Sequence, residues 1–171
     1  MDALTCLMER RSIRKYKKEQ ITDEELNTVL EAATYAPTAM GTQSPLIVAV
    51  QNSEDIELMS KLNAQVWGKE TDPFYDAPTV VVVFGDGTVK NCVQDASLVL
   101  GNMMNAAYAA GLASCWINRA KEVFDLPEGK ELMKKWGIDE KYVGVGNCIL
   151  GYADCEQPQP KDRKEGYIIR K

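Results

Sequence analysis

Val80-Val81-Val82-Val83-Phe84, closed at once by Gly85-Asp86-Gly87, is the stretch that decides the fold. An unbroken β-branched and aromatic run ended by glycines predicts a strand covered on both faces, the interior position of a sheet. The segment after it predicts the cover. About Asn91 to Ala110 reads as one long helix, and no side chain from Ala96 to Asn118 is charged. That length is enough to cross a bilayer. Ser97, Asn102, Asn105, Ser114 and Asn118 interrupt it, however, and Gly111 marks a helix end, so a deeply buried globular helix is expected instead. A chain of 171 residues has little room to bury a helix all round, so a second subunit is expected to cover part of it.

Working outward, Ala113-Ser114-Cys115-Trp116-Ile117 reads as a returning strand, Leu46-Ile47-Val48-Ala49-Val50 as a buried strand, and Tyr142 to Tyr152 as another. Thr22-Asp23-Glu24-Glu25 is a capping box opening a helix to about Tyr35, with Leu26, Val29, Leu30 and Ala33 on one stripe. Ala36-Pro37 stops it, and the polar loop Thr38-Ala39-Met40-Gly41-Thr42-Gln43-Ser44-Pro45 follows. Ser53 is placed as the cap of a helix burying Ile56, Met59, Leu62 and Val66. Glu128 to Trp136 forms a short amphipathic helix closed by Gly137. The interspersed helices and strands lack a regular βαβ rhythm, which predicts a three-layer α+β domain. No GxGxxG or Walker glycine loop is present, and Gly144-Val145-Gly146, inside a strand pattern, is read as close backbone packing.

Composition narrows the chemistry. A 45% hydrophobic chain of this length fits one domain over residues 1–171, with Pro158-Gln159-Pro160 stiffening an arm over 156–171. Five cysteines, Cys6, Cys92, Cys115, Cys148 and Cys155, form no close CxxC pair and suit reduced thiols. Met1 to Glu9 lacks the basic and apolar regions of a secretory signal, so a cytoplasmic protein is expected, with no nucleic-acid or membrane partner. Histidine is absent, which removes Ser-His-Asp and Cys-His catalysis and imidazole metal sites; chemistry must come from other groups or from a bound cofactor.

Against a net charge of -5, Arg10-Arg11-Ser12-Ile13-Arg14-Lys15-Tyr16 is a local knot of cations around a hydroxyl, and Lys161-Asp162-Arg163-Lys164 is a second. Guanidinium forks, ammonium groups and a serine hydroxyl suit a phosphate. Two such clusters at opposite ends can share one, or each can be a solvated chain end.

Taken in order, Arg10-Arg11-Ser12-Ile13-Arg14, Ala36-Pro37-Thr38 through Gln43, the apolar helix running into Gly111-Leu112-Ala113-Ser114-Cys115-Trp116-Ile117, and Pro160-Lys161-Asp162-Arg163-Lys164 resemble the FMN-dependent nitroreductase family over nearly the whole chain. The resemblance implies a three-layer α/β/α fold with a mostly antiparallel central sheet, assembled as an intertwined homodimer with FMN at the subunit interface. It implies hydride transfer from NADH or NADPH through the flavin to nitroaromatics, quinones or similar flat small molecules. By position, Arg10, Ser12 and Arg14 would hold the phosphate, with Arg11 adjacent in the cofactor site, and Lys161 and Arg163 would close over the same group. Thr38, Met40 and Gln43 would reach the ring from the partner subunit, and the backbone near Trp116 and Ile117 would lie beside it. No residue is assigned as nucleophile and no metal is implied. Many relatives carry asparagine at the position of Gly41 and a Pro-Trp pair at Ser44-Pro45, so the expectation here is a wide, shallow cleft and loose substrate choice. A specialised flavoenzyme of the same fold (dehalogenation, azoline oxidation, flavin fragmentation) and a non-catalytic flavin-binding module are the alternative readings.

Overall fold

Strand β2, Thr79–Asp86, is buried at all eight positions. It pairs antiparallel with β1, Leu46–Val50, on one side and with β4, Tyr142–Gly151, on the other. Strand β3, Ala113–Ile117, pairs antiparallel with β4 and completes the order β1-β2-β4-β3. The four-stranded sheet is thus antiparallel throughout, in a computed structural model that describes residues 2–171.

Alternation along β2 sends its side chains into two separate cores. Val80, Val82 and Phe84, with Cys115, Ile117 and Ile149, meet α3 (Ser53–Trp67), α5 (Ala120–Asp125) and α6 (Pro127–Lys135) through Met59, Leu62, Phe124 and Leu132. Val81 and Val83, with Cys148 and Leu150, meet α2 (Asp23–Thr34) and α4 (Cys92–Ala109) through Val29, Ala33, Leu100 and Met103. Helices cover both faces, so the three-layer α+β expectation holds. Each fully buried valine contributes roughly 1.5–3 kcal/mol of transfer free energy, which is why this strand anchors both layers.

Local signals explain most boundaries. The Thr22 capping box forms, with its hydroxyl accepting from Glu25 N and Glu25 Oε2 accepting from Thr22 N at 2.8 Å. Gly137, at φ +70°, ends the turn after α6. The Gly144-Val145-Gly146 run is a bulge: Val83 pairs with Gly146 and Phe84 with Gly144, leaving Val145 as the extra residue. A Cβ on Gly144 would sit 2.6 Å from the Ala120 carbonyl oxygen, and one on Gly146 2.8 Å from Leu100 Cδ1, so close packing explains both glycines.

Three expectations are corrected. β1 is half-buried rather than buried, because it lies at the sheet edge and Ala49 is exposed. Asn52, not Ser53, caps α3; its side chain accepts from Asp55 N at 3.0 Å, and Ser53 is the first helical residue. The helix after Thr22 ends at Thr34 with Tyr35 as its C-cap, where the sequence placed its end. A seven-residue helix α1, Ala3–Glu9, capped by Asp2, precedes the arginine segment, and α5 follows β3; the sequence reading contained neither.

Candidate functional site

The segment after α1 lies along the open edge of β3. Ile13 N donates to the Ser114 carbonyl at 3.0 Å and Ser12 bridges Ser114; further on, Lys17 N donates to the Tyr152 carbonyl at 2.9 Å and Tyr16 bridges Ala153. Ile13 and Tyr16 are the buried anchors, and the Tyr16 hydroxyl donates to the Ile13 carbonyl at 2.8 Å. Burial pushes the Tyr16 phenol far up, so it remains a neutral donor. Held at Ile13 and Tyr16, the segment leaves Arg10, Arg11 and Ser12 half-buried and Arg14 exposed.

Around this segment several donors are buried without a partner, Arg10 Nη1, Arg11 Nε and the Ser114 hydroxyl, and the Trp116 indole N–H further along β3 is another. Arg11 spends Nη1 on the Met8 and Arg10 carbonyls, both at 2.8 Å. A cavity of about 270 Å³ is lined by Arg10, Arg11, Ile13, Ser114, Cys155 and Gln157 among others. Unpartnered buried donors are costly unless something accepts from them. Cations, hydroxyls and an open sheet edge together fit an anionic group, and the residues present suit a phosphate.

The end of β3 offers backbone rather than side chains. Ile117 is buried in the core with its carbonyl turned toward Asn147 of β4, while Trp116 is half-buried with its indole N–H free. Because the Ser114 carbonyl already faces the open edge, the two-residue period of a strand turns the Trp116 peptide groups the same way.

The Thr38 to Gln43 loop forms one short 3₁₀ turn, Ala39–Gly41. Asp95, buried in the first turn of α4, accepts from Ala39 N at 3.0 Å, and the Thr38 hydroxyl accepts from Gln43 N at 3.0 Å. Met40 and Gln43 hold left-handed φ values of 55° and 49°, uncommon for non-glycine residues, and Met40 is wholly exposed. The loop is anchored at its base and its tip presents side chains outward. No hydrogen bond or salt bridge among the described residues joins it to the arginine segment.

The second basic cluster stands apart too. Every residue from Ala153 to Lys171 is exposed, and 156–171 contains no helix or strand. Arg163 Nε donates to the Lys161 carbonyl at 3.2 Å, and Gln157 Nε2 reaches the Glu9 carbonyl at 2.9 Å. Within one chain, Lys161 and Arg163 make no ion pair and no hydrogen bond to Arg10, Arg11, Ser12 or Arg14.

A larger groove of about 780 Å³ involves α3 and α6 and contains none of these residues. Asp55, Asp125, Glu128 and Glu131 outnumber Lys130 and Lys135 there, a poor setting for an anion. Cys115 and Cys148 are buried, and burial pushes the Cys148 thiol well above its ordinary range, so both act as small core residues. Sequence reasoning missed Asn63 and Asn147 altogether. Their signal was a polar residue where the helix stripe and the strand pattern each called for an apolar one.

With the geometry in place, comparison with known proteins is direct. The nitroreductase family profile matches residues 7–73 and 65–152. The chain belongs to the nitroreductase family. A protein of Archaeoglobus fulgidus, provisionally named NADH dehydrogenase/NAD(P)H nitroreductase, is 31% identical over 97% of this chain and 90% of its own. A nitroreductase with bound FMN from Bacteroides fragilis superposes at a TM-score of 0.90, with 30% identity over 99% of this chain and 98% of that one. Another with bound FMN, from Desulfitobacterium hafniense, gives a TM-score of 0.88 and 27% identity over the same shares.

Proposed function

We propose that the chain is an FMN-dependent oxidoreductase, transferring hydride from NADH or NADPH to nitroaromatics, quinones or similar flat acceptors, and that it works as a cytoplasmic homodimer. The observation that carries this reading is the set of half-buried cations and unpartnered donors along the open edge of β3, in a family whose solved members hold FMN.

Arg10, Arg11, Ser12 and Arg14 would hold the phosphate, the Ser114 hydroxyl would donate beside them, and Lys161 and Arg163 would close over the same group. Thr38, Met40 and Gln43 would reach the ring from the partner subunit, which accounts for an anchored loop whose tip meets nothing in its own chain. The Trp116 and Ile117 backbone would line the reacting edge. When bound, FMN supplies the hydride chemistry. This chain's residues then position it, exclude water and stabilise added negative charge; with no histidine and Cys148 held as a thiol, none of those named serves as nucleophile.

Apolar surface supports the dimer. Val93 and Leu98 on α4, Leu4, Leu7 and Met8 on α1, and Tyr167, Ile168 and Ile169 on the tail are all exposed. Their burial against a second subunit would remove this apolar surface from water. We take residues 1–171 as one domain whose arm, 156–171, crosses to the second subunit. The cytoplasmic assignment is supported by five unbridged cysteines; among the described residues no helix is long and apolar enough to cross a membrane.

Two steps test the reading. The purified protein is expected to be yellow or to take up FMN stoichiometrically, and anaerobic NADH or NADPH is expected to bleach it. A protein that refuses FMN removes the proposal; one that binds FMN and never bleaches is a passive binding module. Steady-state rates across quinones and nitro compounds with each nicotinamide then assign donor and acceptor.

A further inference from the structure

Two amide side chains hold the backbone at the end of β3 from behind. Asn147 Nδ2 donates to the Ile117 carbonyl at 3.1 Å, and Asn63 Nδ2 donates to the Asn118 carbonyl at 2.9 Å. Asn63 and Asn147 are 0% and 1% exposed. Arg119 locks the arrangement: its Nε donates to Asn63 Oδ1 at 2.8 Å, its guanidinium stacks 4.6 Å over Trp67, and its backbone sits at φ 75°, left-handed for a non-glycine residue.

Buried amides inside apolar packing carry a desolvation cost, and one of these, Asn147 Oδ1, is left without any partner. Packing alone would favour leucine at both positions. What they accomplish follows from the peptide group. It is planar and trans, so its C=O and N–H point in opposite directions, and no peptide bond in the described chain is cis. Drawing the Ile117 carbonyl toward β4 aims the Asn118 N–H away from the sheet. Holding the Asn118 carbonyl likewise orients the Arg119 N–H. A carbonyl that accepts a hydrogen bond also polarises its own amide, making that N–H a stronger donor. Apart from the strand ladders, neither N–H has an acceptor among the described residues.

We propose that Asn63 and Asn147 are positioning residues: they aim and polarise the Asn118 and Arg119 amides as donors toward a flavin ring at the end of β3, favouring its reduced, anionic form. The inference rests on the flavin assignment given under Proposed function. Neither side chain touches the ring; both act through the backbone.

Full-length protein is titrated with FMN, oxidised and then dithionite-reduced, in the wild type and in Asn147→Leu, Asn63→Leu and Asn63→Asp. Oxidised FMN should bind within about threefold of wild type, since the phosphate grip is untouched. Reduced FMN should bind about tenfold more weakly, the change expected when donors to an ionised acceptor lose strength. The potential of the bound flavin falls accordingly. Equal losses for both forms, or no loss in folded variants, overturn the assignment. Should a variant not fold, the wild type decides: the Asn118 and Arg119 amide proton resonances are expected to move on reducing bound FMN, and unmoved resonances overturn the proposal. Wild-type protein that binds neither form overturns the flavin reading itself, a different outcome from bound flavin with an unaltered potential.

Discussion

The two basic clusters have similar composition and opposite structural situations. Arg10 to Tyr16 is stitched to the body by backbone bonds to Ser114 and Tyr152 and by two buried anchors, whereas Lys161 to Lys164 is exposed on a segment without secondary structure. The first has its ordering entropy met by the fold; the second must recover it on docking. Preorganised cations set where an anion sits. On the proposed reading, a free arm sets whether it stays.

Removing residues 156–171 is the severest challenge to that contrast. Two charge-assisted contacts of about 1.5–3 kcal/mol each would be lost, so FMN affinity should fall at least about a hundredfold in a fluorescence titration. Affinity within threefold of wild type would mean that the arm has no part in the site. Single substitutions sharpen it: Arg14→Ala and Arg163→Ala should each weaken FMN binding by about 1.5–3 kcal/mol, and the double variant should lose less than their sum if both meet one phosphate. Strict additivity would assign the two ends to separate partners.

Ser114→Ala probes the fixed side alone. Its hydroxyl has no partner within the chain, so melting should be unchanged while FMN affinity drops by about 0.5–1.5 kcal/mol. The smallest effect concerns the ion pair between Lys15 and Asp154, 2.9 Å apart and largely solvated. Hydrogen bonding to Asp154 raises the Lys15 pKa above its ordinary 10.5. The pair's contribution is therefore complete below that ordinary value and fades as pH rises through the raised one. Denaturation at pH 8 should differ little between wild type and Lys15→Met, and the difference should vanish in strong alkali.

How much of this was legible in the residues depends on where the information resides. The valine run, the capping box and the glycine stops carry local chemistry, and β2, α2 and α6 follow from it directly. The cations at Arg10 and Arg14 were visible as charge, but their attachment to β3 is a long-range pairing that no local pattern encodes. β1 reads as fully buried from its composition, while its edge position comes from topology. The Asn63 and Asn147 amides were hidden because the functional element there is backbone, which has no letter of its own. Helix α5 escaped notice because its six residues are too short for a clear periodic signal.

The exposure of everything beyond Tyr152 also bears on handling the protein. Proteases cut where chain is unpaired and accessible, so trimming should begin in the tail and halt at β4, where pairing on both sides resists attack. A clipped batch would keep its circular dichroism while shedding its colour, and a drop in the ratio of flavin to polypeptide would reveal the nick before any loss of structure did.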